Sequence, residues 1–205
     1  MEFLVEFEVK IPDGTPESEI KDRQEAEAVA AAQLAEKGHL VRVWTTHVAS
    51  GASTVLGLYR ADDEAQLDGL LGGLPLYRWM HVAVTPLEAH PNDPAVDQEA
   101  DRAMEYLVTM TTHVPEGTSD DAVADVRVRE AARARELAAD GHLLRLWRPP
   151  LAPGEWRTLG LFAADGEGEL EKVLASMPLH VWRTDEITPL SPHPNDPATG
   201  GTGTA

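Results

Sequence analysis

Two glutamates stand where an ionised side chain is costly. Glu27 falls in register with Ile20, Ala31 and Leu34, and Glu130 with Val123, Ala134 and Leu137. These steps put each carboxylate on the apolar stripe of a helix, aimed at whatever the helix covers. Desolvation raises a carboxyl pKa, which makes an ordinary Glu an acid or base usable near neutral pH. The same placement also suits a structural ion pair with Arg42 or Arg145, and the spacing leaves both readings open. Those arginines belong to a strand motif, Gly-His-Leu-x-Arg-x-Trp, at 38–44 and 141–147. Alternation puts Leu40, Arg42 and Trp44 on one face and Val41 and Val43 on the other, with Arg145 and Trp147 placed likewise. A planar guanidinium among apolar neighbours can clamp a carboxylate or an enolate oxygen. Trp can wall a flat ligand, and the alternative is an outward Arg beside a core Trp.

Other chemistries find less support. The eight histidines show no H-x-x-H or H-E-x-x-H spacing, and the chain has no cysteine, so no metal site is expected. His39 and His142 follow glycines that end helices, where capping is the expected role. His90 and His193 lie in Pro-rich tails and are expected to pin a loop or touch the other half. There is no G-x-G-x-x-G, P-loop or G-x-S-x-G pattern, so neither a nucleotide cofactor nor serine hydrolysis is expected.

The elements that must position these residues occur twice. Sliding the chain by 103 residues lays Gly38–Trp44 on Gly141–Trp147 and His90-Pro91-Asn92-Asp93-Pro94 on 193–197. Of the 94 positions from 1 to 94, 39 are identical to their partners at 104 to 197, without a gap. The expected organisation is a repeat at 1–94, an acidic linker at 95–103, a second repeat at 104–197 and a flexible tail at 198–205.

Within a repeat, Phe3, Val5, Phe7, Val9 and Ile11 alternate with polar residues, as in a half-buried strand over 2–11. A helix from about 17 to 37 follows, ended by Gly38. Strands at 39–46 and 54–59 flank a turn near Ser50-Gly51. A second helix begins at Asp62-Asp63, and a last strand runs over 80–87. This β-α-β-β-α-β order is that of a ferredoxin-like unit. The expected class is α+β, with tandem ferredoxin-like units paired as a dimeric α+β barrel-type pseudo-dimer.

The 35 acidic residues outnumber 17 basic ones, for a formal net charge of -18, which argues against a nucleic-acid partner. No apolar run approaches the roughly 18 residues of a membrane helix, so no membrane partner is expected. The lack of cysteine fits a reducing cytoplasm.

The opening strand ending in Pro, the Glu-bearing helix closing on Gly38 and the strand reaching Trp44 precede Leu74-Pro75-Leu76-x-x-x-Met80. Together with Thr85-Pro86-Leu87-x-x-His90-Pro91, they resemble muconolactone delta-isomerase over the full length of each repeat. That resemblance implies an oligomerising α+β barrel and a cofactor-free isomerisation that moves a double bond in an unsaturated lactone by proton transfer. It makes Glu27 and Glu130 the candidate proton carriers and a small molecule the main partner, in a homo-oligomer of pseudo-dimers.

It further implies a basic residue three positions before that Glu and an Arg after the strand Trp. The second repeat has Arg127 and Arg148 there, whereas the first has Gln24 and Thr45. The aromatic pair implied for the third strand is replaced by Leu56-Gly57-Leu58 and Leu159-Gly160-Leu161. The second repeat also carries Thr109, Thr111 and His113 where the first has charges. The expected substrate contacts are therefore Arg145, Arg148, Arg127, Trp147, Arg42, Trp44 and His113. The chain's four lysines among abundant Ala, Arg, Asp and Glu also admit a polyketide-like substrate in secondary metabolism. A ring-forming cyclase and a non-catalytic binding or assembly protein are the alternatives.

Overall fold

Alternation in the opening segment becomes strand β1 (Glu2–Val9) in the computed structural model, which describes residues 1–47, 53–94 and 104–199. The turn expected near Ser50-Gly51, the linker 95–103 and residues 200–205 of the tail lie outside the described residues. Helix α1 (Glu17–Glu36) follows, then β2 (Leu40–His47) and β3 (Ser53–Arg60). Helix α2 (Glu64–Gly72) starts on Asp63, whose side chain accepts from the Gln66 N–H at 2.8 Å, and β4 (Met80–Ala89) completes the set. The second repeat gives β5 (Met104–Thr112), α3 (Asp120–Ala139), β6 (Leu143–Arg148), β7 (Arg157–Ala164), α4 (Glu167–Ala175) and β8 (Arg183–Pro192). The protein is α+β, in the expected element order.

The chain divides into two compact units, one of Met1–Leu87 with the segment from Ser191, the other Glu88–Leu190. Each repeat thus ends in a tail that packs in the unit built mainly from the other repeat. In the first unit β1 pairs antiparallel with both β3 and β4, and β2 pairs with β3. In the second unit β5 pairs with β7 and β8, and β6 with β7, all antiparallel. Pro197–Thr199 form a short 3-10 turn in which Thr199 Oγ1 donates to the Asp196 carbonyl at 2.7 Å.

Each helix layer covers one sheet face. Phe3, Val5, Leu40, Tyr59, Leu67 and Leu71 form the first core, and Tyr106, Val108, Leu137, Leu143, Phe162 and Leu170 the second. Each fully buried side chain of this size contributes roughly 1.5–3 kcal/mol. Gly38 and Gly141, at φ +73° and +74°, turn the chain from each first helix into the next strand, a backbone conformation that glycine adopts without a Cβ penalty.

A bulge reorders the strand motif. The pairing register of β2 shifts between Leu40 and Arg42, and that of β6 between Leu143 and Arg145. The extra residue reverses the alternation. Leu40 and Val43 therefore join the first core, and Leu143 and Leu146 the second. This corrects the even alternation from Leu40 to Trp44 expected from the sequence, and Arg42 and Arg145 leave the helix side.

Candidate active site

In the second unit a cavity of about 250 Å³ opens under α3. Glu130 lines it from the helix, with Ala134 one turn on, and Leu146, Thr112 and Thr158 line it from the strands. The Glu130 side chain is buried because its helix position faces the sheet, as the spacing requires. Its Oε2 accepts from the Leu179 N–H at 2.9 Å, and its Oε1 lies 3.5 Å from Arg183 Nη1. Burial pushes the Glu130 carboxyl above its ordinary range. The Leu179 N–H and the Arg183 charge oppose that rise, and the Asp185 charge adds to it. Asp185 grips the far side of the same guanidinium at 2.6 and 3.0 Å. One cation thus serves two carboxylates, so its charge is shared between them.

Arg127 stands one helical turn before Glu130 and lines the cavity, its guanidinium stacked 4.6 Å from the Trp156 ring centroid. Such stacking holds a cation in place while leaving its edge open to an anion.

The tail supplies the opposite wall. His90, Pro91 and Asn92 line the cavity, fixed because Asp93 is locked onto β6. Asp93 accepts from Arg145 Nε and Nη2 at 3.2 Å each, and from the Leu146 N–H at 2.8 Å. His90 N–H donates to the Leu146 carbonyl at 3.1 Å, and His90 Nδ1 accepts from the Asn92 N–H at 3.1 Å. Burial and the charges of Arg148 and Arg127 lower the His90 pKa, against the opposing charge of Asp93. The neutral ring is favoured, with Nε2 carrying the proton.

The first unit repeats this plan with different chemistry. Glu27 Oε2 accepts from the Leu76 N–H at 3.0 Å, and burial raises its pKa against that bond. It lines a cavity of about 460 Å³ with Gln24, Tyr59, Met80 and His193. Asp196 clamps Arg42 at 3.1–3.2 Å and accepts from the Val43 N–H at 3.0 Å. The half-exposed Val9 and Ile11 of the opening segment line this cavity.

Several expected contacts lie elsewhere. Arg145 and Arg42 face away from the cavities because of the bulges, held by Asp93 and Asp196 and stacked 4.9 Å over the rings of Trp147 and Trp44. They hold the tails, and the charges acting on the Glu27 and Glu130 carboxyls come from neither of them. Trp147 and Trp44 are almost fully buried and line neither cavity. Arg148 projects outward to Glu88 at 3.2 Å, on a two-residue pairing of β4 with β6. His113 is exposed. Tyr106, Val108 and Met110 of β5 pack inward and Thr112 lines the cavity, which sends Thr109, Thr111 and His113 to the other face. Glu130 and Arg127 line the second unit's cavity and Glu27 lines the first unit's.

Sequence reading missed Arg183, Asp185, Trp156 and the cavity role of His90 and His193. The first two had a signal. Their partners in the first repeat are Met80 and Val82, so two charges replace two apolar residues at one end of a strand.

The fold places the chain in a known structural class. A heme-binding protein from Thermus thermophilus superposes with TM-score 0.57 at 12% identity, over 95% of this chain and 93% of that one. Chlorite dismutase from Candidatus Nitrospira defluvii, in complex with imidazole, gives 0.55 at 9% identity, over 93% and 90%. These likenesses concern the fold alone. Sequence carries the assignment further, since the family described as Muconolactone delta-isomerase matches residues 1–93 and again 104–196, and the chain belongs to that family.

Muconolactone Delta-isomerase from Cupriavidus pinatubonensis (strain JMP 134 / LMG 1197) is 30% identical over 92 residues, 45% of this chain and 97% of that protein. Muconolactone Delta-isomerase 1 from Acinetobacter lwoffii is 34% identical over 101 residues, 48% and 99% respectively. The chain is an isomerase-like enzyme. No helix among the described residues is long and apolar enough to cross a membrane.

Proposed function

We propose that the second unit catalyses a cofactor-independent double-bond isomerisation of an unsaturated lactone or a related enolisable compound, as in the catabolism of aromatic compounds. The observation that carries this reading is the Glu130 carboxyl, buried at a cavity wall between the Leu179 N–H and Arg183. Its Oε1 takes a proton from the carbon conjugated through to the lactone carbonyl. The electron pair left behind delocalises onto the carbonyl oxygen as a dienolate. Glu130, now protonated, returns the proton at the other end of the conjugated system, so the double bond moves and no other reactant is consumed. A carboxyl pKa raised by burial suits both transfers. Arg127 faces the developing oxyanion or a substrate carboxylate, where a positioned cation favours the transition state. Arg183 keeps Glu130 in place, and the His90 Nε2–H is a second donor to substrate oxygen.

The wider reading treats the two units as an α+β barrel-type pseudo-dimer in a cytoplasmic homo-oligomer, without nucleic-acid or membrane partners. The likeness to solved chains over more than nine-tenths of the sequence supports the barrel, and the acidic charge supports the exclusion of nucleic acid. A solution mass equal to one chain would remove the oligomer from this reading.

Incubation with muconolactone and a panel of unsaturated lactones in deuterated water, followed by NMR, tests the chemistry. Deuterium should enter the product at the carbon next to the carbonyl, where the proton is delivered, and the recovered substrate at the far carbon from which it is taken, to the extent that the Glu130 carboxyl exchanges with solvent between the two transfers. Failure of every lactone to exchange or isomerise would overturn the proposal.

A further inference from the structure

We propose that the cavity of the first unit is a second binding site, for an uncharged, largely apolar molecule that carries a carbonyl acceptor. It is a site that the isomerisation at Glu130 does not use. The argument rests on the two cavities being the same place in two copies of one fold, so that each lining difference is a change of ligand chemistry on a common frame. Met80 stands in place of Arg183, and Gln24 in place of Arg127. Val9 replaces Thr112 and Val55 replaces Thr158. Every one of these exchanges removes a charge or a hydroxyl, and the space grows from about 250 to about 460 Å³.

No Lys or Arg lines this cavity among the described residues. Arg23, on the same helix, is occupied elsewhere: it binds Glu19 and the Pro75 carbonyl and lies 4.7 Å from the Trp79 ring centroid. An anion entering would meet the Glu27 carboxyl with no counter-charge beside it, so an uncharged ligand is selected.

Two groups can donate to a carbonyl there. Tyr59 lines the cavity and brings a phenol where the second unit has Phe162. Burial and the neighbouring Glu27 charge keep that phenol protonated. Glu27 spends Oε2 on the Leu76 N–H, which leaves Oε1, when protonated, for a ligand. A molecule with an apolar body and one carbonyl matches this lining, and apolar clefts with few convergent polar groups are the usual form of small-molecule sites.

The methionines make the test direct. Met80 lines the first cavity, whereas Met110 and Met177 line the second. The full chain carrying ¹³C-methyl methionine is titrated with coumarin and with coumarin-3-carboxylate, Met80 being assigned through Met80→Leu. Coumarin should shift the Met80 methyl signal to saturation. Coumarin-3-carboxylate should act on it at least about tenfold more weakly, because its charge must be buried without a partner. A carboxylate that shifts Met80 as strongly as coumarin would overturn the inference, as would coumarin leaving Met80 unmoved. Tyr59→Phe should weaken coumarin at the Met80 signal by about tenfold, the order of one lost hydrogen bond, and an unchanged titration would remove Tyr59 from the site.

Discussion

Glu130 Oε1 and Arg183 Nη1 lie 3.5 Å apart, with side chains only 9% and 2% exposed. Asp185 holds the other side of the guanidinium, so the arginine cannot neutralise Glu130 fully. Arg183→Met copies the first repeat and tests this. Turnover should fall by about 10²-fold, the order for a lost electrostatic stabiliser. Arg183 lowers the Glu130 pKa, so its removal raises that pKa further, and the acid limb of the kcat/KM profile should move to higher pH. A limb that stays in place would show that Glu130 does not set it.

The tail clamp is a structural device with a functional reach. Asp93→Ala takes the carboxylate from the buried Arg145 side chain and the acceptor from Leu146 N–H. The loss should be about 3–5 kcal/mol, as for breaking a buried pair, with a raised KM because His90 and Asn92 lose their anchor. Glu88→Ala, which breaks only the exposed pair with Arg148, should cost within about 1 kcal/mol. Urea unfolding of the two variants compares them.

Glu27 makes a stability prediction with a definite sign. Burial raises its pKa in the folded state, so between its unfolded and folded values the native chain binds more protons than the unfolded one. Its contribution therefore worsens as pH rises through that window and is relieved as pH falls. Glu27→Gln keeps an acceptor for the Leu76 N–H and removes the charge. Relative to the parent, it should be more stable at pH 8 than at pH 4, by urea unfolding at both.

Gly160 marks a packing limit. A Cβ there would collide with the Phe162 ring and sit 3.0 Å from Met110 Cε. Gly160→Ala should cost about 1–3 kcal/mol, the usual penalty of overpacking. Calorimetry that finds no fall in Tm would show that the ring and Met110 yield freely.

Much of this was legible in the sequence because it depends on local periodicity. The repeat, the element order and the inward placement of Glu27 and Glu130 follow from spacing alone. The bulge after Leu40 was not legible, since one extra residue in a ladder depends on its partner strand, and it removed Arg42, Arg145 and both tryptophans from the expected site. His113 falls outside the site because its face of β5 points away from the cavity. His90 pins a loop, as its Pro-rich setting suggests, but its place in a cavity depends on Asp93 reaching across to β6. Arg183 was visible as a charge opposite Met80, though only long-range packing brings it to Glu130.

The most direct test is the turnover of muconolactone by Glu130→Gln beside Glu27→Gln, with folding of both checked by circular dichroism. Glu130→Gln should lose about 10²–10⁴-fold in kcat, the range for a general acid–base group, while Glu27→Gln keeps most of the parent rate. Full activity in Glu130→Gln, or an equal fall in both, would contradict the assignment of proton transfer to the second unit.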